Sequence, residues 1–217
     1  MKRLIIILSI TAFAISSCKE NSKAGSESEN SNTAENMADS SEMQRDNSNS
    51  MMSSMMKQME VMNNMKTMND PDHDFAMMMK YHHTAAKEMA ELELLHGHHS
   101  EVKSLARKII TDQDKEIQEF DKFLNSSPVE SKPGNDKFFN ESMQMMKDMP
   151  MDMNKSVTDP DQQFITMMIP HHEQAISMSR IYLRYAKKDN LKTMANNIIT
   201  TQQNEIKELK DLQAKSH

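Results

Sequence analysis

One nine-residue segment occurs twice, and that repetition limits the possible fold more than any other feature of the chain. Phe75-Ala76-Met77-Met78-Met79-Lys80-Tyr81-His82-His83 returns as Phe164-Ile165-Thr166-Met167-Met168-Ile169-Pro170-His171-His172. The offset of 89 residues, from Phe75 to Phe164, also relates Ala86 to Ala175 and Met89 to Met178. At about 3.6 residues per turn, Phe75, Met78, Met79, His82, Ala86 and Met89 fall on one stripe of a helix. A stripe of that composition faces a core. Each copy is therefore read as a core-facing helix that carries a histidine pair among thioethers.

The flanking residues extend each copy into a helix pair. Asp70-Pro71-Asp72 and Asp159-Pro160-Asp161 each supply an N-cap, a proline at the first helical position and an acid near the positive end of the dipole. Asp70, Asp72 and Asp74 also resemble the start of a calcium loop, but Phe75 stands where that loop needs glycine, and Gln163 replaces the third acid in the second copy. The first helix is expected to end near Leu95, with Gly97 as a left-handed cap. Ser100 should cap a second helix, with Asp189 in the matching place. Val102, Leu105, Ala106, Ile109, Ile110, Ile117, Phe120 and Leu124 form its apolar stripe. Gln113 and Glu116 interrupt that stripe, as Gln202 and Glu205 do in the second unit, and buried polar groups need partners.

Repeat one thus covers 70–124 and repeat two 159–213, within a domain of 70–217. The connector, 125–158, is broken by Pro128 and Pro133-Gly134. It carries a short Met-rich helix with Met143, Met145, Met146 and Met149. Helix hairpins use only a few linking residues, whereas a connector of this length can cross a whole bundle. The expected fold is all-α: a ferritin-like four-helix bundle of two repeated helix pairs with a long crossover, preceded by a Met-rich helix. Only 3 glycines in the chain agree with a helical protein. Antiparallel pairing of the equivalent helices would bring His82 and His171 together near mid-bundle. Pro170, inside the second copy, should kink its helix.

The N-terminus reads as an export signal. Lys2-Arg3 precedes an apolar run, Leu4 to Ile15, that is too short to span a bilayer. Ser16-Ser17-Cys18 then resembles the end of a bacterial lipoprotein signal. On that reading residues 1–17 are removed and Cys18 is lipidated, giving a membrane anchor without a spanning helix. An ordinary signal peptide with an incidental cysteine would give export without the anchor. Residues 18–50 are polar and read as a flexible tether. In the Met-rich segment 51–69, Met51, Met55, Met59 and Met62 share a helical face. They are either adaptable core filler or a thioether strip for a soft metal ion. The formal charge of −6 argues against a nucleic-acid partner, which requires a basic face.

Chemistry concentrates where the repeats coincide. Met78, Met79, His82 and His83, and again Met167, Met168, His171 and His172, place thioether and imidazole one helical turn apart, so that they can converge on one ion. Thioethers suit Cu(I), and imidazole accepts Cu(I) or Cu(II). The bland alternative is a methionine core with histidines hydrogen-bonded to Gln113 or Glu116. Glu116 and Glu205 would either orient an imidazole or ligate directly, and Gln113 and Gln202 share that position. His96, His98 and His99 form a loop cluster that could take Cu(II), Ni(II) or Zn(II) as an auxiliary site. Glu93-x-x-His96 matches half of a di-iron motif, but the second unit has Tyr182 and Tyr185 there. No nucleophile–base pair stands out, so the chain is not read as an enzyme.

The two Asp-Pro segments with Phe-x-x-Met-Met-x-x-His-His, joined to Gln113-x-x-Glu116-Ile117 and Gln202-x-x-Glu205-Ile206, resemble the Domain of Unknown Function 305 family. The likeness covers roughly Asp70 to Leu212, twice over; the first copy departs from the family pattern at Lys80-Tyr81. It implies a ferritin-like bundle and, for Met-rich exported members, periplasmic copper binding and resistance. The combined expectation is a lipid-anchored cell-envelope protein, facing periplasm or cell surface, that sequesters copper, with Cu(I) ahead of Cu(II). The rival readings are a partner-binding helical module with a Met-rich surface and a metal-dependent oxidoreductase.

Overall fold

The computed structural model describes residues 51–149 and 157–215. The signal segment, Cys18 and the tether lie outside the described residues. Within them the chain is helical, without strands: α1 (51–64), α2 (Pro71–His96), α3 (Ser100–Ser126), α4 (Lys137–Asp148), α5 (Pro160–Leu183) and α6 (Asp189–Lys215). The caps form as the sequence requires. Asp70 accepts the Asp72 N–H at 3.1 Å and Asp159 accepts the Gln162 N–H at 2.8 Å, each just before a proline. α5 continues through Pro170 to Leu183.

α2 packs on α3, α5 on α6, and the two pairs meet α2 against α5 and α3 against α6. The apolar stripes divide into two clusters. One joins Phe75, Met78 and Met79 of α2 to Ala175, Met178 and Tyr182 of α5; the other joins Ala86, Met89 and Ala90 to Phe164, Ile165 and Met168. The start of α2 therefore lies beside the end of α5 and the reverse, which makes the two repeats antiparallel. Phe75 stacks on Tyr182 at 3.9 Å, with Phe120 and Phe138 edge-on. α3 also buries Phe123, while Ile110, Ile117 and Leu124 are only half-buried. The connector begins against the start of α2, where the Glu130 N–H donates to Asp70 at 2.6 Å, and α4 packs on α2 and α5. α5 starts at the far end of the bundle from the start of α2.

At each end, an aspartate of one unit holds the interhelix loop of the other. Asp161 accepts the backbone N–H groups of His98 and His99, both at 2.9 Å. Its counterpart Asp72 accepts that of Lys187 at 3.1 Å and the Tyr182 hydroxyl at 2.5 Å. The cap of α3 differs from the expected one. Ser100 is already helical, and the N-cap position is His99, whose side chain makes no capping bond. The Asp161 carboxylate across the interface holds that turn instead.

Glu93 occupies the position equivalent to Tyr182 and faces Asp161. Burial, reinforced by the Asp161 charge, pushes its carboxyl from 4.5 up to about 9. Burial also opposes ionisation of Asp161, but the two loop N–H groups outweigh it and hold that carboxyl low. One proton thus stays on Glu93, where it can be donated as the tyrosine hydroxyl is at the other end. The folded protein keeps a proton that the unfolded chain releases, so stability is full below about pH 4.5 and falls as pH rises toward 9. Glu93→Gln retains a donor without the proton. Urea midpoints from pH 5 to 9 should therefore vary less in this variant; an unchanged slope would show that Glu93 is ionised in the fold.

Gly97 also differs from expectation. Its φ of −60° and ψ of 155° are extended, not left-handed. A Cβ there would lie 2.5 Å from the Glu93 carboxyl carbon and 2.7 Å from the Glu93 carbonyl oxygen. The residue is glycine because the buried carboxyl occupies the space a side chain would need.

Candidate metal centre

The antiparallel pairing of α2 and α5 puts the two histidine pairs at the bundle centre. His82 and His171 face each other with ring centroids 3.7 Å apart, and both are buried. Burial, with the neighbouring imidazoles adding to it, lowers both well below the usual histidine range, so both rings are neutral. A neutral imidazole keeps a lone pair to offer a metal ion.

The second histidine of each pair turns toward a carboxylate on the partner helix of its own unit. His83 Nε2 lies 2.7 Å from Glu116, and His172 Nε2 lies 3.0 Å from Glu205. Burial would raise Glu205; His172 and Lys108, the latter at 2.9 Å, more than offset it and keep the carboxylate ionised. The contacts are close but not aligned as ring N–H hydrogen bonds. Both nitrogens of His82, His83 and His172 and Nδ1 of His171 lack such a partner, as do the side-chain atoms of Gln113 and Oε1 of Gln202. Buried polar groups left unpaired cost about 1–3 kcal/mol each. So many in one place fit a site shaped to receive an electron-pair acceptor.

Met78 and Met79 pack on one side of the central pair and Met168, with the partly buried Met167, on the other. Each precedes its histidine by about one turn on helices that run in opposite directions, so the thioethers flank the imidazoles from both ends. Met51, Met55 and Met62 of α1 are buried in the apolar clusters, while Met59 is 48% exposed. His98 and His99 are exposed and His96 half-buried at the end of α2. Among the described residues, no three side chains of His, Cys, Asp or Glu gather as a metal site.

Gln58 of α1 is a site residue that the sequence reading passed over. Its Oε1 lies 3.2 Å from His171 Nε2, so α1 covers the centre. A signal was present: 51, 55, 58 and 62 keep helical spacing, and Gln58 is the one polar member of that stripe. Gln174, also buried, lies beside His82 and donates to the Met149 carbonyl at 2.8 Å.

A family model described as a domain of unknown function (DUF305) matches residues 16–124 and again 72–213. The chain belongs to this family. The DUF305 repeats overlap on the first helix pair, and both end close to the final helices of the two units. The chain is 42% identical over 52 residues to an uncharacterized protein of Acanthamoeba polyphaga mimivirus, covering 24% of this chain and 34% of that one. It therefore spans about a third of the length of that relative. Among solved structures, CopM in its Ag-bound form is 31% identical with a TM-score of 0.51, over 65% of this chain and 93% of CopM. CopM in its Cu(I)-bound form is 30% identical with a TM-score of 0.52, over 67% and 97%. CopM has also been solved with Cu(II).

Proposed function

We propose that this DUF305 protein sequesters copper, taken as Cu(I), between the His82–His83 and His171–His172 pairs. The observation that carries the reading is the meeting of two buried, neutral imidazoles of whose four ring nitrogens three have no hydrogen-bond partner among the described residues, the fourth meeting Gln58. Flanking thioethers favour a soft ion over a hard one. Glu116 and Glu205 hold His83 and His172 in place, with Gln113 and Gln202 beside them. The likeness to CopM, solved with silver and with copper, supports the same chemistry here.

Anaerobic titration of the mature protein with Cu(I) against a competing chelator tests this. Tight, stoichiometric uptake is expected, with nitrogen and sulfur donors visible by X-ray absorption at the copper edge. Negligible uptake would favour the partner-binding module instead, and substrate turnover by the loaded protein would favour an oxidoreductase. The cell-envelope location and the lipid anchor belong to the same proposal and rest on Cys18 and the residues before it. Cys18→Ala should shift the protein from the membrane fraction to the soluble fraction; retention in the membrane would remove the anchor.

A further inference from the structure

The methionines of the connector helix are not used by the histidine centre, yet they are not scattered. Met143 and Met146 of α4 face Met55, Met59 and Met62 of α1 across an open cleft of about 370 Å³. No carboxylate, imidazole or thiolate lines it, and its charged residue is Lys147. A hard or divalent cation would find no negative charge there, and no oxygen donors beyond the neutral side chains of Gln58, Asn63 and Gln174. Five thioethers in one cleft offer what a soft monovalent ion takes. Methionine is also adaptable enough to turn its sulfur toward an incoming ion.

The floor of the cleft joins it to the centre. Gln58 and Gln174 both line it. Gln58 meets His171 at 3.2 Å, and Gln174 lies beside His82. One layer of amide side chains therefore separates the cleft from the facing imidazoles. We propose that the cleft between α1 and α4 is a second, entry site for Cu(I), held by thioethers and passed inward past Gln58 and Gln174 to His82 and His171. The transfer is ligand exchange: sulfur bonds are replaced by nitrogen bonds, and the ion stays Cu(I). The inward step rests on the histidine centre being a copper site, whereas the thioether site stands independently of it.

The test is anaerobic Cu(I) titration and stopped-flow loading of the mature protein under chelator competition, comparing Met143→Leu/Met146→Leu with His82→Leu/His171→Leu. Leucine keeps volume and apolarity, so the fold should survive. The wild type should hold a weaker ion and a tighter one. The methionine variant should lose the weaker ion, keep the tighter, and load it about tenfold more slowly, as expected when a supporting donor is removed. The histidine variant should lose the tighter and keep the weaker. Unchanged stoichiometry and loading rate in the methionine variant would overturn the cleft, whatever the histidine variant does. So would an apolar peptide that saturates the cleft while leaving copper uptake unaltered, since that would make it a peptide groove. Loss of the weaker ion in the methionine variant supports the cleft even if the histidine variant still binds both ions, a result that would sink the centre alone.

Discussion

His82→Leu/His171→Leu is expected to lose the most tightly held Cu(I) ion, with an affinity drop of more than about 100-fold, without loss of apo-protein stability. The bound on affinity follows from experience with outer-shell partners, whose removal alone costs roughly 10–100-fold; here two direct donors go. The stability half is more discriminating. Histidines serving the fold would be hydrogen-bonded, and replacing them would lower the melting temperature. In this protein the two rings are buried and three of their four nitrogens are unpartnered, with only His171 Nε2 meeting Gln58, so the folded apo state already bears most of their desolvation. Exchanging them for apolar groups of similar shape should be neutral or stabilising. A variant that melts markedly lower and still retains its copper would refute the assignment.

The second large effect is expected at Gly97. Gly97→Ala should destabilise the protein by about 1–3 kcal/mol, the usual cost of overpacking. For a protein of this size that lowers the melting temperature by roughly 2–4 °C per kcal/mol. The cause is the close approach of the buried Glu93 carboxyl, not backbone handedness. Gly97→Asn separates the two explanations, because asparagine is accepted at a left-handed cap. Here it should be at least as harmful as alanine. Near-wild-type melting of Gly97→Asn would restore the left-handed cap.

The difference between these two sites shows what the sequence made legible. The 89-residue register, the Asp-Pro starts and the Met-Met-x-x-His-His spacing are local patterns, and from them the helix pairs and the meeting of His82 with His171 followed. Contacts between units leave no such trace. Nothing in the neighbourhood of Asp161 indicates that it holds the His98–His99 turn, or that Glu93 must carry a proton for it. The same holds for Asp72 with Tyr182. Gly97 looked like a helix stop because glycine commonly is one, and the space taken by Glu93 exists only in three dimensions. Gln58 lay between these cases: its place on the methionine stripe was visible, its contact with His171 was not.

The exchanged aspartates have one more consequence. Asp72 and Asp161 are both buried, and the donors described above that satisfy them belong to the opposite repeat. A solitary repeat would lose the donors that tie its aspartate and its interhelix loop, and would expose the helix face that the other repeat covers. The smallest self-sufficient folding element is thus a couple, and the facing imidazoles at its centre are assembled by the same mutual dependence that closes its two ends.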